Sequence, residues 1–115
     1  MIGLIPIDIF FNYSNAIADK DASRMIGVLH KIQTTGLPLE DVTQGLNQHF
    51  RNLLISLIKD GEDLLELNDE HIKRYSNSSK LWHSRDILRI TNVLNELEYS
   101  LKRIMLKNLV PIFFH

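Results

Sequence analysis

"LNQHFRNLLISLI", Leu46 to Ile58, decides the fold. Its apolar residues Leu46, Phe50, Leu53 and Leu57, extended backwards to Val42, recur at three and four positions, the period of a helix with one buried face. Leu54, Ile55 and Ile58 add a second apolar face, and a helix apolar on most sides must be covered on most sides. The spacing therefore predicts the central helix of a bundle. His49 and Arg51 stand within this segment but two residues apart, so on a helix their side chains diverge rather than converge on a joint site.

This central helix begins after Pro38, whose missing N–H costs nothing in a first turn, and Glu40 and Asp41 complement the positive end of its dipole. It is expected to run to Lys59 and stop at a turn over Asp60 and Gly61. Upstream, a first helix is expected over Ile7 to Ala18, with Phe10, Tyr13 and Ile17 on one side. A second is capped by Asp21, striped by Met25, Val28, Leu29 and Ile32, and stopped at Gly36, because glycine takes the left-handed cap conformation without steric cost. Downstream, Asn68 followed by Asp69 and Glu70 marks the start of a short fourth helix to about Ser79, anchored by Ile72 and Tyr75.

Ser84 is expected to cap the last helix, in which Ile87, Ile90, Leu94, Leu97, Leu101 and Ile104 alternate at three and four residues. That seam falls short of the repeats of a true coiled coil, so it predicts antiparallel packing within the bundle. Glu98 and Lys102 are placed as an exposed ion pair. Pro111 opposes a continuous helix through the apolar "KNLVPIFFH", and the sequence assigns no element to residues 105–115. The sum is an all-α fold, one compact bundle of about five helices.

Length and composition narrow the function. A chain of 115 residues buries roughly two-thirds of its unfolded surface as one domain. It has no cysteine, which excludes disulfides and thiolate metal sites and fits a reducing, cytoplasmic setting. A formal charge of -1 lacks the basic footprint of direct nucleic-acid binding. The amino-terminal "MIGLIPIDIFF" has no basic leader, contains Pro6 and Asp8, and is too short to span a membrane.

No pattern of catalytic chemistry emerges. The histidines, at 30, 49, 71, 83 and 115, include no pair at a spacing of four, so a metal site would have to be assembled from separate helices. His49 is expected at the edge of the apolar stripe, bonded to a backbone or side-chain group. The serines sit at turn and cap positions without a glycine-framed elbow, and no phosphate-cradling glycine loop occurs. Arg51 carries a permanent charge beside apolar residues, so it reaches water or finds a carboxylate, within the domain or across a subunit boundary.

One stretch is more specific. "NAIADKDASRMIGVLHKIQTTGLPLEDVTQGLNQHFRNLLISL" resembles the third domain of the gamma/tau subunit of bacterial DNA polymerase III, the ATPase subunit of the sliding-clamp loader. The matching positions are Ala16-Ile17, Lys20-Asp21, Gly36, Leu39 to Asp41, and His49-Phe50-Arg51-Asn52-Leu53-Leu54. "LLELNDEHIKRYSNSS" and "DILRITNVLNELEYSLK" follow the family's short helix and penultimate long helix in order and spacing, and residues 1–6 resemble its interdomain linker. The likeness extends to about Tyr99; beyond it "IMLKNLVPIFFH" departs from the family's polar turn and final helix.

The resemblance implies a fragment without intrinsic enzyme activity and without cofactor, since the family's Walker loop, zinc cysteines and arginine finger belong to domains absent from this chain. It further implies a collar that holds gamma/tau copies together with the delta and delta-prime subunits. The expected partners are thus further copies and those subunits, packed head to tail through the third and fifth helices, with neither nucleic acid nor membrane contacted directly. Candidate interface or structural residues are His49, Phe50, Arg51, Leu54, Ile58, Leu97 and Leu101. A free-standing adaptor offering a groove to a partner helix is the alternative, and an enzyme or metal protein built on His49, His71 or His83 is a third.

Overall fold

In the computed structural model the described residues are 6–114, with side chains described for all of these except Met105 and 108–114. Five α-helices follow one another: α1 Ile7–Ala18, α2 Ala22–Gln33, α3 Leu39–Leu57, α4 Asp69–Ser79 and α5 Ser84–Phe114, with a single 3-10 turn at Gly61–Leu64. There is no strand among the described residues, so the all-α bundle of five helices expected from the sequence is what forms. The expected linker character of residues 1–6 falls almost wholly outside the described residues.

Side chains set the helix boundaries as anticipated at two starts. The Asp21 carboxylate accepts the Arg24 amide at 3.1 Å, and the Asn68 side chain accepts that of His71 at 2.8 Å, each satisfying an otherwise orphaned donor. Gly36 takes φ 72°, the left-handed conformation that ends the α2 segment. The break after α1 is less expected. The Lys20 amide bonds the Ile17 carbonyl and the Asp21 amide bonds Ala16, a paired closure that places Lys20 at φ 56°, where glycine is the usual residue.

Three boundaries depart from expectation. α3 ends at Leu57 rather than Lys59, because Ile58 turns extended, Asp60 adopts φ 61°, and the chain folds back on the helix end. Gly61 makes that return possible: a Cβ there would stand 2.0 Å from the Ile55 carbonyl oxygen. Ser84 does not cap α5 but is its first residue; the position before it is His83, whose carbonyl accepts the amides of Asp86 and Ile87 at 3.0 and 3.3 Å. Pro111 does not end α5, which continues to Phe114. Proline costs the helix one N–H bond and crowds the carbonyl four residues earlier, and here it stands in the last turn, where little ladder follows.

α3 is the hub, packed against α5, α4 and the 3-10 turn, while α1 and α2 pair with each other and α1 also meets α3. The core contains Phe11, Val28, Ile32, Leu46, Phe50, Leu53, Tyr75 and Ile87, with Phe50, Leu53 and Ile87 wholly sealed. Trp82 closes one end by setting its ring at 90° to Phe50, centroids 5.8 Å apart. The stripe expected on α1 is only half covered: Phe10, Tyr13 and Ile17 are partly exposed, and the deep positions are Ile9, Phe11, Ser14 and Ala16. At 31 residues α5 is roughly 46 Å long. It reaches beyond a body only 30 Å across, giving the molecule its 53 Å length.

Candidate interaction surface

His49 occupies the centre of the core, not the edge of the stripe, and is 1% exposed. Its Nε2 lies 2.8 Å from Ser14 Oγ on α1 and its Nδ1 2.9 Å from the Tyr75 hydroxyl on α4. Ser14 Oγ donates to the Phe11 carbonyl at 3.2 Å, which leaves it to accept the His49 Nε2–H while Nδ1 accepts from the Tyr75 O–H. Phe11 meets the imidazole edge-on at 4.7 Å, and Phe50 does so at 5.5 Å.

Burial, and secondarily the positive charge of Arg74, lowers the His49 pKa from 6.5 to about 3. The ring is therefore neutral at pH 7. Burial likewise raises the Tyr75 pKa, against a smaller opposing effect of Asn52 and Arg74. Arg74 sits 4.3 Å over the Phe11 ring and pairs with Asp8, covering the cluster from outside. A histidine with both nitrogens committed and no solvent access has no free atom for a substrate proton or a metal ion. The cluster is a polar clasp binding α1, α3 and α4 in one register.

The other expected residues scatter. Phe50 is core; Leu54 is half-buried; Ile58 is exposed at the end of α3. Arg51 points to solvent and reaches only Gln48, at 3.5 Å, with no carboxylate in ion-pair range among the described residues. It borders a polar cleft with Gln44, Asn47, Asn95 and Glu98, within which Asn47 donates to Asn95 at 2.7 Å. Glu98 and Lys102 form the expected pair, at 3.5 Å. Leu97 and Leu101 lie on α5, the former exposed and the latter half-buried.

Leu97 belongs to an open apolar surface between the helices. An apolar groove of about 470 Å³ opens between the helices, lined by Tyr13 and Ile17 of α1, Leu29 of α2, Leu39 and Leu46 of α3, and Val93 and Leu97 of α5. Among the described residues that line it, Arg89 alone is charged. The α5 seam emerges from the bundle as it runs: Ile87 is sealed, Ile90 and Leu94 are half-covered, Leu97 is 41% and Ile104 53% exposed. Contiguous apolar surface of this kind is larger than the scattered apolar side chains of an ordinary solvent face.

Sequence reasoning missed the contributions of Ser14 and Tyr75 to the clasp and of Leu39 and Val93 to the groove. Spacing alone marks Tyr75 as an anchor, and no periodicity reveals which hydroxyl a buried imidazole will meet. Among the described residues no group of three or more His, Cys, Asp or Glu side chains gathers to hold a metal ion. Among the same residues no helix is long and apolar enough to cross a membrane. Compared with known proteins, the chain matches no family model, no curated protein and no solved structure.

Proposed function

We propose that this chain is a non-catalytic, cytoplasmic oligomerisation domain of the clamp-loader collar type, which gathers copies of itself and delta and delta-prime subunits into one assembly. The observation that carries the reading is the strip of α5 that leaves the bundle apolar and uncovered, alongside a groove with one charged residue. A helix with such a face needs a partner outside its own domain. The all-helical order, with "HFRNLL" at the heart of α3, agrees with the resemblance to gamma/tau. Neither nucleic acid nor membrane is part of this reading.

Mixing the purified chain with the delta and delta-prime subunits of its host and measuring mass by light scattering tests it. A species heavier than any component is expected; separate elution of all components at tens of micromolar overturns it. A second reading, an adaptor that receives a partner's amphipathic helix, draws on the groove itself, since apolar grooves accept helices through anchors at three- and four-residue spacing. Recovery of clamp-loader subunits on the immobilised chain separates the two.

A further inference from the structure

We propose that the groove binds one amphipathic carboxylate, a fatty acid whose chain lies along α5 and whose head sits beside Arg89 and Lys20. Two cavities meet at that head. The apolar groove of about 470 Å³ adjoins a second cleft of about 380 Å³, and Ile17, Arg89 and Ile90 line both. Phe50 of the groove and Trp82 of the cleft are also in contact, their ring centroids 5.8 Å apart. Among the described lining residues the groove's charge is confined to Arg89, whereas the cleft adds Lys20 and Asp86. An apolar trough that ends at cations has the polarity of a fatty acid.

The ionic balance at the head end favours an anion. Lys20 and Arg89 are opposed in the cleft lining by Asp86. Asp86 reaches Arg89 at 3.9 Å between exposed side chains, a loose contact that leaves guanidinium donors for a carboxylate. The two acids that flank Lys20 in sequence are engaged with Arg24: Asp19 pairs with it at 3.4 Å, and Asp21 accepts its amide at 3.1 Å. Trp82 contributes a second kind of signal. Its indole borders the cleft, and its Nε1–H is buried with no acceptor among the described residues. Buried donors are seldom left unpaired, and a carboxylate entering the cleft brings acceptors to one.

Size fits the same ligand. Arg89 and Leu97 bound the groove's lining on α5 eight residues apart, a rise of roughly 12 Å, which is the length of an extended acyl chain of about ten carbons. The groove's volume also falls within the range of pockets that take a single small molecule, roughly 300–1,000 Å³. The collar reading draws on the far row of α5, Leu101 and Ile104, which lies beyond the groove lining and stays bare when the groove is filled. The fatty-acid site therefore stands independently of that reading. The adaptor alternative places a partner's helix in the same space and gives a carboxylate no advantage over a neutral chain.

Trp82 is the only tryptophan of the chain and borders the head end, so its fluorescence reports the site directly. Decanoate is expected to shift that emission saturably, with calorimetry giving one molecule per chain, and decanol to bind about tenfold more weakly. Arg89→Gln, at an exposed position that folding tolerates, is expected to erase the difference between the two. Leu29→Gln is expected to weaken both, and Ile104→Ser, on the far row, neither, with the helical circular dichroism unchanged in all three variants. No saturable change up to millimolar decanoate overturns the proposal, as does an undiminished preference for decanoate in Arg89→Gln. So does equal affinity for decanol, the result expected of a groove shaped for a partner's helix, or loss of binding in Ile104→Ser, the result of chains adsorbed on the far row. The delta and delta-prime mixing experiment judges the collar reading separately.

Discussion

The Tyr75 hydroxyl stands 2.9 Å from His49 Nδ1, joining α4 to α3 through two side chains both almost wholly removed from solvent. Tyr75→Phe removes the donor and leaves the imidazole nitrogen buried without a partner. Loss of about 1–3 kcal/mol of stability is expected, the cost of an orphaned buried acceptor. Urea denaturation of the variant beside the parent measures it, with an unchanged denaturant slope as the sign that the fold itself is kept.

Acid should act through the same ring. His49 binds a proton near pH 6.5 when unfolded but only near 3 when folded, so between these values the unfolded chain holds more protons. Its contribution is complete above pH 6.5 and is lost as pH falls towards 3, at up to about 1.4 kcal/mol per pH unit. Stability profiles from pH 7 to 4 should be steep for the parent and visibly flatter for His49→Gln. Equal slopes would show that carboxylates, not His49, control acid unfolding.

Gly61→Ala tests the end of α3. The added methyl meets the Ile55 carbonyl oxygen at 2.0 Å, a backbone atom that cannot rotate aside. A drop of more than about 2 kcal/mol is expected, as for overpacking elsewhere in a protein interior. Thermal unfolding followed by circular dichroism reads it directly.

Lys20→Gly should do the opposite. Lys20 holds φ 56° at the close of α1, and glycine relieves the steric cost a side chain meets there. A gain of about 0.5–1 kcal/mol is expected, seen as a rise in Tm. A fall would mean that backbone entropy in the unfolded chain outweighs the relief.

Arg51→Ala separates folding from assembly. Exposed, and held among the described residues by a 3.5 Å contact to Gln48, Arg51 should be replaceable within about 0.5 kcal/mol of unfolding free energy. Weaker binding to delta and delta-prime with unchanged Tm would place it at a subunit boundary. Unchanged binding would leave it a solvating residue.

Periodicity and capping chemistry sufficed for the helices because both are local: Asp21, Gly36 and Asn68 act within a few residues of themselves. What escaped them depends on distance through space. The early end of α3 follows from Gly61 approaching Ile55, and the clasp joins Ser14, His49 and Tyr75 from three helices. His49 and Arg51 illustrate the division. Their divergence followed from helical spacing, whereas which one faced inward depended on where α1 and α4 packed. The candidate surface was legible only in part: Leu97 was visible in the seam, but a groove is a relation between elements, and Val93 lines one because residues of α1, α2 and α3 border the same space.

The gradual emergence of the α5 seam has an energetic corollary. Helices gain most of their order from tertiary packing, so α5 carries a gradient of local stability along its length, highest at sealed Ile87 and lowest from Leu97 to Lys107. Amide hydrogens near Ile87 are therefore expected to exchange with solvent more slowly than those past Leu97, where local fraying suffices. Any partner that covers the far row must first stop this fraying, so part of the association free energy is spent on helix order. Hydrogen exchange past Leu97 is thereby a sensor of occupancy: it slows when the surface is engaged, whichever partner engages it.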